Sequence, residues 1–200
     1  MKRKAVAGGL AASFFINLLA MAAAVVPVMA LSGGSYAFLT GWEQSAWFQE
    51  LFALTDNFLL FTTLSAGLTL VWAGAAGAMA WLYIRRFTAH ASSAIFGSLL
   101  YTFSGCGLLL EGHQPWSAVF GVLPLVLWGL EKLLQEGRKG WLALGAALLT
   151  LASGGDLVLL AGALLLILGY SLCRIGALRP SLGRVAFSLG EWMLGLCMGA

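Results

Sequence analysis

All eleven Lys and Arg residues of this 200-residue sequence fall into four clusters, and long apolar stretches separate them. The clusters are Lys2, Arg3 and Lys4; Arg85 and Arg86; Lys132, Arg138 and Lys139; and Arg174, Arg179 and Arg184. The intervening segments without Lys or Arg contain Glu43, Glu50, Asp56, Glu111 and Asp156. Cytoplasmic loops of membrane proteins keep Lys and Arg, whereas translocated loops do not. The alternation therefore predicts apolar hairpins that cross a membrane and return, with the N-terminus and every basic cluster on the cytoplasmic side. The expected fold is an all-α polytopic inner-membrane bundle of about seven transmembrane helices.

Composition supports the same class. Hydrophobic residues make up 60% of the chain and charged residues 10%, well away from the usual balance of a soluble domain. In a soluble chain a net charge of +3 would suggest a polyanionic partner. Here the cations sit where they would meet anionic headgroups, so no nucleic-acid partner is expected. The N-terminal Met-Lys-Arg-Lys resembles the start of a signal peptide, but the apolar run over 5–31 far exceeds an h-region of about 7–15 residues. Val28-Met-Ala30 is only faintly like a cleavage site. Cys106, Cys173 and Cys197 have no metal-like spacing and read as small packing residues.

A helix needs about 20 apolar residues to cross the hydrocarbon core. The sequence gives candidate spans over 5–31, 58–84, 92–110, 116–134, 141–153, 157–173 and 185–200, in a single transmembrane domain. Residues 141–173 would reach about 50 Å as one helix, too long for one crossing. Gly154-Gly155-Asp156 breaks the run, which predicts a hairpin that either spans fully or is re-entrant. The last segment stops without a charged flank, as a chain cut short would. Pro27 and Pro124 lie inside spans, where proline can kink a helix. Pairs of small residues, Ala73 with Gly77 and Gly74 with Ala78, predict close helix packing, since small side chains let backbones approach within lipid.

The first outer loop, 32–57, carries the most chemistry. Thr40-Gly-Trp-Glu43 reads as a capping box opening a helix that reaches about Leu54. Trp47, Phe48, Leu51 and Phe52 share one face of that helix, with Glu43, Gln44 and Glu50 elsewhere. The pattern predicts an amphipathic helix on the outer membrane surface, aromatic side down. Glu43 could cap this helix or act as a general base or metal-binding carboxylate at the water–lipid boundary. Asp56 could cap the second span or take a catalytic role. Glu50 reads as a solvated residue or a substrate contact, and His113, near Glu111 and Trp116, as a surface residue or ligand. Asp156 is a turn residue or, if its turn dips into the bundle, a functional charge.

Glu191 is the one acid well inside a predicted span, roughly 10 Å in if the helix starts at Val185. Such an acid is expected to pair with a polar group of a neighbouring helix and to serve function, unless the segment starts as an interfacial helix. The sequence has no P-loop, GxSxG, zinc-spaced Cys/His set or nucleotide fingerprint. A substrate is therefore expected through the lipid or from the outer side.

Three stretches carry a family resemblance: WLYIRRF from Trp81, AIFGSLLYTFSG over 94–105 and VLPLVLWGLEKLL from Val122. They resemble the bacterial YfhO-type membrane proteins, with their arginine-rich turn after an early span, a following helix ending in "lsG" and a "lPlvllgierl" helix. The turn Ala152-Ser-Gly-Gly-Asp156 is similar to the family's corresponding turn. The resemblance covers about 58–173 and implies a GT-C-type membrane glycosyltransferase. It further implies an acidic catalytic residue in the first outer loop, a polyprenyl-phosphate-linked sugar donor and a cell-envelope acceptor.

On that basis Glu43 and Asp56 are the expected catalytic residues, and Glu50, His113, Asp156 and Glu191 the expected substrate contacts. The cofactor stays unknown, with participation of a divalent metal left open. Where the family places an aspartate soon after "LT", this chain has Gly41, Trp42 and Glu43 after Leu39-Thr40. It also lacks the family's later "WnP…G" stretch and is much shorter than a full member. The alternative is a non-catalytic multi-pass protein, either part of a transporter or an assembly scaffold. A transporter predicts internal repeats, and the sequence shows no convincing one.

Overall fold

Long apolar runs broken by glycine, proline and charge fold as helices, because only internal hydrogen bonding satisfies a backbone in lipid. The computed structural model describes residues 2–31, 58–104 and 116–199. These residues form seven α-helices and no strand. They are α1 (Lys2–Leu31), α2 (Phe58–Ile84), α3 (Ala91–Thr102), α4 (Trp116–Glu131), α5 (Trp141–Ala152), α6 (Leu157–Leu178) and α7 (Leu182–Gly199). A π-helical turn, Lys132–Glu136, prolongs α4. The chain divides into two units, Met1–Ser117 and Ala118–Ala200. The first outer loop, with its expected surface helix, Glu43, Glu50 and Asp56, lies outside the described residues. So does the second, with Glu111 and His113.

In the first unit α1 and α2 pack antiparallel, and glycine sets their separation. A Cβ on Gly9 would fall 2.4 Å from the Trp81 ring, and one on Gly74 would fall 2.9 Å from Phe14. One on Gly77 would fall 2.3 Å from the Asn17 side chain. Ala73 and Ala78 are buried beside these glycines, so the small-residue pairs of α2 pack as expected. Because α1 and α2 run in opposite directions, Lys2–Lys4 and Arg85–Arg86 lie at the same end. α3 then turns back alongside them, with Gly97 against Ile84 and Phe103 packed on Met21 and Ala73.

Three buried polar side chains tie these helices together. The hydroxyls of Ser13 and Ser98 share a 2.9 Å hydrogen bond, and Ser13 Oγ also donates to the Gly77 carbonyl at 3.1 Å. Asn17 Nδ2 donates to the Ser13 carbonyl at 2.8 Å and to Ser98 Oγ at 3.1 Å. Interhelical bonds of this kind average about 0.6 kcal/mol in a membrane bundle, so they fix register more than they add stability.

In the second unit α4 and α5 form a tight hairpin. A Cβ on Gly129 would meet the Trp141 backbone at 2.8 Å, and one on Gly145 would meet Val126 Cα at 3.0 Å. Gly137, with φ +69°, ends the π turn, and its N–H donates to the Leu133 carbonyl at 3.0 Å. α7 runs parallel to α5 with glycine at the seam: a Cβ on Gly195 would lie 2.5 Å from the Ala143 carbonyl, and one on Gly199 2.6 Å from that of Ala147. The helix begins at Leu182, ahead of the expected Val185, because the Ser181 carbonyl already accepts the N–H groups of Arg184 and Val185. Cys173 and Cys197 are exposed free thiols, so neither fills the core that their apolar surroundings suggested.

Among the described residues, four helices are long and apolar enough to cross a membrane, over Val6–Ala24, Gly67–Ile84, Ala118–Glu136 and Leu157–Leu178. At 12 residues, α5 is about 18 Å long, shorter than the hydrocarbon thickness of about 30 Å.

Candidate functional site

Apart from Asp156, the charged side chains of the second unit gather at the end where α4 finishes, α5 begins, α6 finishes and α7 begins. Glu131, in the last turn of α4, has no exposed surface. Its carboxylate is fully engaged. Oε1 accepts from Arg174 Nε and the Tyr170 hydroxyl; Oε2 accepts from Arg174 Nη2 at 2.8 Å and from Gln135 Nε2. A two-pronged guanidinium–carboxylate pair is both strong and directional. Helical spacing builds the cluster: Tyr170 and Arg174 are four residues apart on α6, and Glu131 and Gln135 four apart on α4 and its π extension, so each pair shares a face. With both oxygens occupied, Glu131 is a tie between α4 and α6 and is poorly placed to take a substrate proton.

Beside this pair, Lys132 Nζ stands 3.9 Å from the centre of the Trp128 ring and 5.0 Å from that of Trp141. The two indoles meet edge to face at 5.0 Å. An ammonium on aromatic faces, with tryptophans at a helix end, suits the interfacial belt of a membrane.

Two charged side chains of α7, seven residues apart, hold the α4–α5 connection from one side. Arg184 Nη1 donates to the carbonyls of Leu134 and Gln135 at 3.0 and 3.2 Å, at the negative end of the α4 dipole. Glu191 accepts from the N–H groups of Gly140 at 2.7 Å and Ala143 at 3.3 Å, at the positive end of α5. Those two amides are the ones a capping box would satisfy. α5 begins with Gly140 and has no side-chain cap of its own, so a carboxylate from another helix does the work. Glu191 is buried, and the polar group it meets on the neighbouring helix is backbone.

Asp156 lies at the opposite end of the hairpin. Its Oδ1 accepts from the N–H groups of Val158 and Leu159 at 2.9 and 3.0 Å, making it the N-cap of α6. Gly154 and Gly155, at φ +58° and +86°, turn the chain into that cap. Of the six site residues expected from sequence, the described residues include only Asp156 and Glu191, and these sit far apart along α5. Sequence reading missed the partnership of Glu131, Tyr170 and Arg174. It took Arg174 only as part of a basic cluster that sets orientation and gave Glu131 no partner, although an acid and a base ending two spans on the same side are a signal for pairing. Among the described residues no three His, Cys, Asp or Glu side chains come together to hold a metal ion.

The family described as "Bacterial membrane protein YfhO" matches residues 12–152. No curated protein and no solved structure matches the chain. The matched stretch covers more than half of the sequence, running from α1 through α5, and the chain belongs to the YfhO family of bacterial membrane proteins.

Proposed function

We propose that this multi-pass membrane protein is a GT-C-like glycosyltransferase of the bacterial plasma membrane. It takes a sugar from a polyprenyl-phosphate-linked donor and transfers it to a cell-envelope acceptor on the outer face. One observation carries the reading: the family match over residues 12–152 includes the loop between α1 and α2, where Glu43, Glu50 and Asp56 stand without a single Lys or Arg. Transfer to a hydroxyl requires a base for the acceptor proton or a charge that holds a metal against the donor phosphate. Glu43 is the first choice for that carboxylate and Asp56 the second. His113 and Glu50 are the proposed contacts to substrate from the outer loops. Asp156 and Glu191 already bond backbone amides, so a substrate contact by either has to be shared with, or exchanged for, its capping bonds.

The test is transfer of radiolabelled sugar from a polyprenyl-phosphate donor by the purified chain, with and without a chelator of divalent ions. General-base assistance is worth about 10²–10⁴-fold in rate, so Glu43→Gln should lower turnover by that order at unchanged expression. A capping role alone costs only about 0.5–2 kcal/mol of stability and leaves turnover intact. Near-normal transfer by Glu43→Gln would move the assignment to Asp56→Asn. Absence of transfer by the wild-type chain with every donor would favour a non-catalytic transporter part or scaffold.

A further inference from the structure

The connection between α6 and α7 encloses, with the end of α4, an open cavity of about 570 Å3. Arg179, Arg184, Gln135 and Ser181 provide its polar lining, and Leu178 and Pro180 part of its apolar wall. No Asp or Glu lines it. The acids of the surrounding elements are already committed: Glu131 to Arg174, Glu136 to Arg138 at 3.2 Å, and Glu191 to the amides of α5. Two arginines thus line the cavity with no Asp or Glu among the lining residues.

Both arginines are arranged in ways that anchoring alone does not require. Arg184 is held by its two bonds to the carbonyls of Leu134 and Gln135, which engage Nη1 and leave the Nε and Nη2 donors of the fork for a ligand. Arg179 occupies the C-cap of α6 at φ +46°, ψ +53°, a left-handed conformation that glycine adopts at far lower cost. An arginine kept in a glycine position points to a use for its side chain. Leu178, in the lining, is 37% exposed, and Leu182, next in sequence to the lining residue Ser181, is 87% exposed, so apolar surface adjoins the basic cavity.

We propose that this cavity binds a phosphate ester, and that the phosphate belongs to an anionic phospholipid headgroup of the cytoplasmic leaflet. Guanidinium forks match phosphate oxygens, and basic pockets between spans on the cytoplasmic side suit acidic headgroups. The adjoining leucines would lie along the upper acyl chains. This site is independent of the proposed sugar transfer, since it uses none of the outer-loop acids.

The purified full-length chain in neutral detergent should be titrated with short-chain phosphatidylglycerol and, separately, phosphatidylcholine. Inorganic phosphate serves as a competitor. Each basic residue near a membrane surface contributes about fivefold in affinity, so Arg179→Gly should weaken phosphatidylglycerol binding by about that factor. The substitution also relieves the left-handed backbone, so weaker binding cannot be ascribed to misfolding. Lys139→Gln, outside the cavity and over the Phe187 ring, should bind as the wild type does. Displacement by millimolar inorganic phosphate would overturn the lipid assignment in favour of a soluble phosphate ligand. Equal affinity in Arg179→Gly and wild type, or equal binding of the two lipids, would overturn the site.

Discussion

Glu131 and Arg174 illustrate what a charge costs away from water. Glu131 is met by Arg174, Tyr170 and Gln135, and Arg174 turns two of its donors onto that carboxylate. Removing one partner of a buried pair costs about 3–5 kcal/mol, whereas replacing both by apolar residues of similar volume can be neutral. Arg174→Leu should therefore lower stability in detergent unfolding by about that amount, and Glu131→Leu with Arg174→Leu should recover most of it. A double variant as unstable as the single one would mean that the pair is not the reason for the loss. Glu191 makes a gentler case. Glu191→Ala leaves the amides of Gly140 and Ala143 without their acceptor and should cost about 0.5–2 kcal/mol, while Glu191→Gln, still able to accept one bond, should cost less. That Glu191 needed a polar neighbour was legible in the sequence. That the neighbour is the start of α5 was not, because a glycine start gives no side-chain signal of a missing cap.

At the scale of elements, length and apolar content announced the helices, and glycine spacing announced that they approach closely, but neither says which helix faces which. α7 shows the difference. From sequence it is a chain end with an acid in it; in the fold Glu191, Gly195 and Gly199 repeat every fourth residue along the face that meets α5. Gly195→Ala would press a methyl against the Ala143 carbonyl at 2.5 Å and should destabilise the protein by about 1–3 kcal/mol. Gly190, on the same helix, has nothing within 4 Å of its would-be Cβ. Gly190→Ala should be neutral or stabilise by up to about 1 kcal/mol, since alanine restricts the unfolded chain and favours helix. Thermal unfolding of the two variants side by side checks the seam: equal midpoints would place the α5 contact elsewhere. Pro124 lies inside α4, which continues past it to Glu131, and a π turn follows before Gly137.

At the scale of the whole molecule, each unit carries its basic clusters at one end. Arg85–Arg86 return to the end where α1 begins, and Arg174, Arg179 and Arg184 return to the end where Lys132, Arg138 and Lys139 stand. This much the sequence disclosed, because a charge excluded from lipid marks the place where a helix must surface. The catalytic assignment was less legible. An acid in an outer loop does equally well as a cap or as a base, and the distinction rests on what approaches it. The central claim is that the basic ends face the cytoplasm and the loops with Glu43, Asp56 and His113 face outward, where a lipid-linked donor would be met. Its most direct test is cysteine labelling of intact cells with a membrane-impermeant thiol reagent, after replacing Cys106, Cys173 and Cys197 by alanine. Ser35→Cys and Gln114→Cys should be labelled from outside, and Ala89→Cys and Ser181→Cys only after the cells are permeabilised. Labelling of Ala89→Cys and Ser181→Cys in intact cells, with Ser35→Cys and Gln114→Cys protected, would contradict the orientation and with it the proposed outer-face chemistry.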